Sequence, residues 1–416
     1  MFLSTCRFAP ACRTSIASHS SRLTSQGQPP QCRTATVAVQ PAIRSQYNPP
    51  LFCGGTLRKR DTRNLTMATN STAEKPKMQY KNLGSSGLRV SKVIVGAMSY
   101  GSSEWQEWIL NEQQSLPLLK HAYDNGINTW DTADVYSNGE SERIIGKAIK
   151  EYNIPRSKLV ILSKCHFGVA TDGSQPRINA MSSNDGDLVN QVGLSRKHIF
   201  DAVEASVQRL GTYIDVLQIH RLDRNTPPKE IMKALNDVIE KGWVRYIGAS
   251  SMACWEFQNL QWIARTNGWH EFISMQNYHN LLYREEEREM IPYCQHTGVG
   301  IIPWSPVARG VLTRPWSERS TKREQSDNFL KSLIRKRETE TDKVVVDRVE
   351  EVAKKHAVSM ACIATAWSIY KGCCPIIGLS SKERIEEAVA NANFQLSEED
   401  ARYLEEPYLP KAVAGY

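Results

Sequence analysis

Four polar side chains between residues 131 and 220 have the residue types that acid–base chemistry requires. Asp131 and Tyr136 lie five residues apart in NTWDTADVYSNGESE, Lys164 ends ILSK, and His220 lies in LQIHRLD. Singly, each has a structural explanation, such as a helix cap, a lysine that reaches the surface or a packed histidine. All four, however, lie at or just beyond the ends of short apolar stretches that are typical of buried strands. This common position favours a shared site.

Together these residues could protonate an oxygen that gains negative charge. Reduction of a carbonyl by hydride transfer creates such an oxygen, and a positioned acid must supply its proton. A tyrosine with the usual pKa of about 10 is a weak acid at neutral pH, and a nearby ammonium lowers that pKa. We therefore predict that Tyr136 is the acid and that Lys164 lowers its pKa. Asp131 would hold the lysine charged and in place, and His220 would orient the carbonyl oxygen.

Apolar strands alternate with helical patterns from residue 78 onwards. The predicted strands are KVIVGAMSY, NTWDTA, LVILSKC, YIDVLQIHRL, VRYIGAS, FISMQNY, VGIIPWSPV and CCPIIGL. A helix follows each one, and Ser141 is predicted to cap the second helix. Strands that helices separate are parallel, and eight such units close into a (β/α)8 TIM barrel. A doubly wound Rossmann sheet, the alternative, requires a GxGxxG turn that the sequence lacks.

Two predicted loops are longer than the other connections. One spans residues 167–194 after the third strand, and the other is a polar loop over residues 314–342 after the seventh. Both follow the carboxyl ends of strands, which is where the active site of a barrel lies. We therefore expect these loops to shape the substrate or cofactor site.

The positive charge of the chain is concentrated at its N-terminus. The chain has 52 Lys and Arg against 44 Asp and Glu, which is a net charge of +8. Residues 1–60 hold eight of the basic residues and no acidic one, so the remainder is neutral. A neutral body predicts neither a nucleic acid nor a membrane partner. No apolar run reaches the roughly 18 residues of a membrane span.

Residues 1–77 form a leader that we expect to be disordered, because it shows no helical or strand periodicity. The absence of acidic residues from positions 1–60 is typical of a mitochondrial transit peptide. The alternative is that Met67 is the natural start and that the protein is cytoplasmic. The six cysteines after the leader form no CxxC pair and no metal-ligand spacing, so we expect no metal site. The sequence leaves the oligomeric state open.

Several motifs resemble those of the aldo-keto reductase family. They are WDTADVY, SKC, IDVLQIH, VRYIGAS, PWSPVARGVL and PIIGLSSKERIEEAV, and the resemblance covers residues 78–416. Further segments, including GLSRKHIFDAVEAS and GASSMACWEF, are similar to fungal members related to aryl-alcohol dehydrogenases and hemiacetal reductases. The resemblance implies a (β/α)8 barrel that binds NADPH and reduces a small-molecule aldehyde, ketone or hemiacetal. It also places the family's catalytic tetrad at Asp131, Tyr136, Lys164 and His220.

The resemblance further implies a set of NADPH contacts. Ser250, Ser251 and Gln276 would meet the nicotinamide amide, and Trp304 would stack on its ring. The pyrophosphate would lie against the backbone of Ser305, Pro306, Val307, Ala308, Arg309 and Gly310. Ser380, Arg384 and Glu387 match the adenosine-phosphate site. A guanidinium at the start of a helix suits a 2′-phosphate, so Arg384 favours NADPH over NADH.

The chain departs from the family pattern at three of these positions. Ser251 stands where the usual residue is Asn, Ala388 replaces the usual adenine-binding Asn, and Gly378 stands where some members have Lys. Arg319 or Lys322 in the seventh loop would compensate.

One alternative function comes from the same resemblance. Potassium-channel β-subunits share this barrel and bind NADPH but act mainly as regulatory partners, and they carry Asn in place of the tetrad histidine. His220 therefore favours an enzyme over a binding partner.

Overall fold

The computed structural model describes residues 77–170 and 183–416. The predicted leader, except for Lys77, lies outside the described residues, and so does the middle of the loop predicted over residues 167–194. No helix in the two described ranges is long and apolar enough to cross a bilayer.

A two-stranded antiparallel hairpin precedes eight parallel strands. The hairpin, which the sequence did not lead us to predict, consists of β1 (Tyr80–Asn82) and β2 (Arg89–Ser91). The parallel strands are β3 (Ile94–Gly96), β4 (Thr129–Asp131), β5 (Val160–Cys165), β6 (Ile214–Ile219), β7 (Val244–Ser250), β8 (Phe272–Gln276), β9 (Gly300–Ile301) and β10 (Ile376–Ile377). They occur at the positions predicted for the eight barrel strands.

The eight strands close into a barrel. Neighbouring strands are paired in the order β10, β3, β4, β5, β6, β7, β8, β9. The remaining edge is joined by backbone hydrogen bonds from the Cys374 N–H to the Ile301 oxygen (2.9 Å) and from the Ile376 N–H to the Pro303 oxygen (3.0 Å). The (β/α)8 barrel prediction is therefore confirmed.

Helices follow the strands and cover the outside of the barrel. They are α1 (Glu112–Asp124), α2 (Glu140–Glu151), α3 (Arg196–Leu210), α4 (Pro228–Glu240), α5 (Cys254–Asn267), α6 (Met290–Thr297), α7 (Lys322–Ser326), α8 (Asn328–Leu333), α9 (Glu340–His356), α10 (Met360–Tyr370), α11 (Lys382–Asn391) and α12 (Glu398–Glu405). Residues such as Ile199 and Val203 of α3 pack against outward-facing strand residues such as Leu217. This packing holds each strand end at a defined height around the barrel.

Three details of the predicted elements were wrong. The polar loop predicted over residues 314–342 contains α7, α8 and the start of α9. We did not predict α9, although its buried valines 345, 346, 349 and 352 have helical spacing. The C-terminal helix α12 was also missed. Ser141 does not cap α2, because Gly139 occupies the cap position with φ 88°. The buried Ser141 hydroxyl instead donates to the Ala97 oxygen (2.8 Å) and accepts from Thr132 (2.9 Å).

The alternation of side chains along the strands decides which residues reach the inside of the barrel. Leu162 of β5 and Val216 of β6 lie in one buried cluster with Leu83 and Val90 of the hairpin, which closes the amino-terminal end. Because the side-chain period of a strand is two, the next positions on the same face are Lys164 and Gln218. The polar residues of the site therefore lie next to the layer of apolar side chains that includes Leu162 and Val216.

Candidate active site

The four predicted catalytic residues meet at the carboxyl end of the barrel. The Lys164 ammonium donates to Oδ1 of Asp131 at 2.6 Å and to the Thr132 backbone oxygen at 2.8 Å. It also lies 3.3 Å from the hydroxyl oxygen of Tyr136. The ring of His220 meets that of Tyr136 edge-on, with centroids 5.8 Å apart. Asp131, Tyr136 and His220 line one cavity of about 230 Å³.

Two glutamines complete the hydrogen bonding of Asp131. Nε2 of Gln276 donates to Oδ2 of Asp131 at 2.9 Å, and Nε2 of Gln218 donates to the same oxygen at 3.1 Å. Both carboxylate oxygens are thus occupied, and the side chain of Lys164 is fully buried against them. Such a pair is stable inside a protein only when its remaining hydrogen bonds are made, as they are here.

Burial and neighbouring charges shift the pKa values of Lys164 and Tyr136. Burial acts to lower the pKa of Lys164, but the charges of Asp131 and Tyr136 outweigh it and raise that pKa, so the lysine stays charged. Burial raises the pKa of Tyr136 above 10, while the Lys164 ammonium opposes this shift. The lysine alone predicts a lowered pKa for the tyrosine. The structure corrects the net direction, because the desolvation of the phenolate is the larger effect.

The histidine of the site is neutral. Burial and the charges of Lys164 and Arg221 hold the pKa of His220 well below 6.5. Its Nδ1 atom is buried and has no hydrogen-bond partner among the described residues. A neutral imidazole at the pocket wall can donate one N–H to a carbonyl oxygen without competing as an acid.

The residues predicted to meet the nicotinamide lie along one side of the same cavity. Ser250, Gln276 and Trp304 line it. Ser251 does not, since its hydroxyl accepts a hydrogen bond from Nε1 of Trp304 at 3.0 Å. One face of Trp304 stacks on Tyr278, with centroids 4.4 Å apart, so an aromatic ring of a ligand would have to stack on the other face.

The segment Ser305–Gly310 forms a tight turn beside Trp304. Its backbone is left-handed at Ser305, Ala308, Arg309 and Gly310, with φ of 52°, 47°, 54° and 101°. The N–H groups of Ala308 and Gly310 are used within the turn, at 2.9 Å from the oxygens of Ser305 and Val307 respectively. Ser305, Pro306, Val307 and Arg309 line the first cavity, whereas Ala308 is buried beneath it.

A second cavity of about 440 Å³ continues from the first and shares Val307, Arg309 and Arg323 in its wall. Its basic lining residues are Arg309, Arg314, Lys322, Arg323 and Arg384, and Glu387 is its acidic lining residue. Ser380 also lines it and accepts a hydrogen bond from Nη1 of Arg384 at 2.6 Å. This wall therefore carries an excess of positive charge.

The structure separates the candidate cations of the seventh loop. Lys322 lines the second cavity, whereas Arg319 lies outside the walls of both cavities. Arg319 instead pairs with Glu338 at 3.3 Å and covers the ring of Trp316 at 5.0 Å.

Several residues in the cavity walls or directly behind them were missed by reasoning from the sequence. Asp327, fully buried, accepts hydrogen bonds from Arg309 (2.7 and 2.9 Å) and from Arg323 (3.0 Å), so one carboxylate holds two guanidinium groups. Burial and the neighbouring Arg309 lower the pKa of Arg323 to about 10. Arg221, the residue after His220, lines the first cavity. Its position directly after a predicted catalytic residue was the available signal.

Comparison with known proteins agrees with this geometry. Residues 92–408 match the Aldo/keto reductase family. The chain is 64% identical over 338 residues to versiconal hemiacetal acetate reductase of Aspergillus parasiticus, which covers 81% of the chain and 98% of that protein. It is 56% identical over 344 residues to a Schizosaccharomyces pombe protein provisionally named an aryl-alcohol dehydrogenase (81% and 97% covered). It is 50% identical over 348 residues to an aldo-keto reductase of Metarhizium robertsii (82% and 94% covered).

These relatives lend no support to the channel-subunit alternative. The extent of the family match and the coverage of whole relatives decide the classification. The chain belongs to the aldo/keto reductase family of oxidoreductases.

Proposed function

We propose that this enzyme uses NADPH to reduce an aldehyde, ketone or hemiacetal-type carbonyl to an alcohol, with Tyr136, Lys164, Asp131 and His220 as its catalytic residues. The choice of NADPH as cofactor rests on the basic wall of the second cavity. Five cations and one carboxylate surround a space that opens into the pocket of Tyr136 and His220. A dinucleotide with three phosphates suits such a wall.

The individual groups fit the parts of that cofactor. Trp304 offers a ring face in the first cavity, and Ser250 and Gln276 offer a hydroxyl and an amide beside it. Arg384 lies in the first turn of α11, where the partial positive charge of the helix N-terminus adds to its own. It makes no ion pair with a carboxylate in the described part of the chain, since Glu386 pairs with His121 and Glu387 accepts a hydrogen bond from Ser359. Its guanidinium is thus available to a 2′-phosphate.

The catalytic residues act on the carbonyl oxygen. When bound, the reduced nicotinamide supplies the hydride. The Tyr136 hydroxyl donates its proton to the oxygen, and the Lys164 ammonium at 3.3 Å stabilises the phenolate that remains. Asp131 keeps that ammonium in position. The neutral His220 donates a hydrogen bond to the same oxygen and orients the carbonyl.

The walls of the first cavity favour a substrate with an aromatic or otherwise apolar body. Trp105, Phe167 and Phe329 line it together with Met98 and Val135. The relatives are named for an aryl alcohol and for a hemiacetal acetate, and substrates of that kind fit this wall.

The test is a substrate screen that follows NADPH absorbance. Aromatic aldehydes, aliphatic aldehydes and hemiacetal esters are compared side by side, and each is repeated with NADH. We expect turnover of the aromatic or hemiacetal group with a preference for NADPH. Tight binding of NADPH without turnover of any carbonyl compound would favour the alternative that the protein is an NADPH-binding regulatory partner.

A further inference from the structure

The first cavity contains a cation that no acidic group of the described residues neutralises. Arg221 lines it beside His220, and its guanidinium carbon lies 5.9 Å from the centroid of the Trp304 ring. Nη1 donates to the His220 backbone oxygen at 2.5 Å and lies 3.4 Å from the Ser250 hydroxyl. Within residues 77–170 and 183–416, Arg221 makes no ion pair.

The other cations around this site differ in that respect. Lys164 pairs with Asp131, and Arg309 and Arg323 share Asp327. Burial lowers the pKa of Arg221 from 12.5 only to about 10, so the group remains charged at neutral pH. An unpaired charge in a partly desolvated wall is costly, and a cation kept in a cleft at that cost is a candidate for ligand binding.

The cofactor does not supply the missing negative charge. Its phosphates are expected in the second cavity and along the turn Ser305–Gly310, where Arg309 and Arg323 line both cavities, and Arg221 does not line the second cavity. The nicotinamide expected in the first cavity carries no negative charge in either redox state. Since neither the described residues nor the expected nicotinamide offers Arg221 an anion, the substrate is the source that the geometry favours.

Resting on the function proposed above, we propose that Arg221 is a specificity-determining residue that selects carbonyl substrates carrying a carboxylate on an aromatic or apolar body. The planar guanidinium forms paired, charge-assisted hydrogen bonds with a carboxylate, which an ester or an unsubstituted ring cannot match. The preferred substrates are thus formyl or keto derivatives of aromatic or apolar acids.

The experiment uses the full-length enzyme and the three isomeric carboxybenzaldehydes, each paired with its methyl ester. The measured quantity is the ratio of kcat/KM for each acid to that for its ester, with saturating NADPH. For the unaltered protein we expect at least one acid to exceed its ester by about 10- to 150-fold, the range of charge-assisted hydrogen bonds. Ratios near one for all three pairs overturn the proposal without need of any variant.

Two variants then assign the preference to its source. Arg221→Gln removes the charge, and we expect it to reduce the ratio for the preferred pair by about 10- to 150-fold. Arg224→Gln is the matched control, because Arg224 lies three residues away, pairs with Glu256 at 2.6 Å and lines neither cavity. The control should keep the ratio of the unaltered enzyme.

The outcomes separate this proposal from a merely electrostatic role and from the proposed function. If Arg221 only adjusts Tyr136 and His220, Arg221→Gln lowers kcat/KM for acid and ester equally, the ratio stays constant and the proposal is overturned. If the unaltered protein reduces both members of every pair at similar rates, the reductase function stands and only the role of Arg221 fails. If it reduces no carbonyl compound with either nicotinamide cofactor, the proposed function itself fails.

Discussion

The Nζ atom of Lys164 lies 3.3 Å from the hydroxyl oxygen of Tyr136, although the lysine comes from β5 and the tyrosine follows β4. Lys164 is fully buried, and the tyrosine opens onto the cavity. This contact connects the predicted proton donor to the charge that stabilises its conjugate base. It is the basis of the first two predictions.

Tyr136→Phe should lower turnover by about 10²- to 10⁴-fold, the usual contribution of general acid catalysis. The phenyl ring keeps its packing against Trp105 and His220, so the dissociation constant for NADPH should change little. Steady-state reduction and cofactor titration by tryptophan fluorescence measure the two quantities. Turnover equal to that of the unaltered enzyme would show that another group donates the proton.

Lys164→Met should lower turnover to a similar extent and change the pH profile of what remains. The ammonium opposes the upward shift of the Tyr136 pKa, so its loss raises that pKa further. The donor is active while protonated. The limb on which reduction is lost as the pH rises should therefore move to higher pH. If the limb stays at the same pH in Lys164→Met, the lysine does not influence the pKa of Tyr136.

The pH profile should show no step from His220. Because its pKa lies well below 6.5, the imidazole is neutral at pH 6.5 and does not change charge between that pH and mildly alkaline pH. The value of kcat/KM should therefore show no pH dependence from His220 across this range, and any change should come from other titrating groups. A step near pH 6.5 that is present in the unaltered enzyme and absent from His220→Gln would contradict a neutral histidine.

Arg384→Ala should weaken NADPH binding selectively. Loss of charge-assisted hydrogen bonds to a 2′-phosphate corresponds to about a 10- to 150-fold rise in the dissociation constant, whereas NADH should be almost unaffected. Arg402→Ala is the surface control, since this side chain is 75% exposed on α12. If Arg384→Ala affects both cofactors equally or affects neither, we would infer that Lys322, Arg314 or Arg323 binds the phosphate instead.

Asp327→Asn should destabilise the fold. The carboxylate holds Arg309 and Arg323 and also accepts the N–H groups of Phe329 and Leu330 at the start of α8. Breaking a buried ion pair on one side costs about 3–5 kcal/mol of unfolding free energy. Asp347→Asn, which breaks an exposed pair within α9, should cost no more than about 0.5 kcal/mol. Urea titrations of both variants would measure the difference, and similar losses would contradict the role of Asp327.

The two interpretations of the leader also remain predictions. Residues 1–66 contain no periodic apolar face, so a protein that starts at Met67 should fold and reduce the same substrates. A fluorescent fusion of the full chain should reach mitochondria if the leader is a transit peptide and stay cytoplasmic if Met67 is the start. Loss of solubility on truncation would contradict the independence of the barrel.

The alternation of strands and helices and the positions of the tetrad could be predicted from the sequence alone. The carboxyl ends of parallel strands meet at one end of a barrel, so Asp131, Lys164 and His220 had to lie near one another once the eight units were recognised. The period-two alternation along each strand then places Lys164 on the same face as Leu162. These features depend on local patterns, which a sequence carries directly.

Only the tertiary structure decided the balance of charges around the site. Asp327 lies 18 residues from Arg309 in the chain, and the fold of the seventh loop alone brings them together and leaves Arg319 outside. Whether Arg221 has a partner, and whether burial or Lys164 governs the pKa of Tyr136, likewise depends on every group packed nearby. Desolvation and ion pairing are properties of the assembled surroundings, so no local pattern in the sequence determines them.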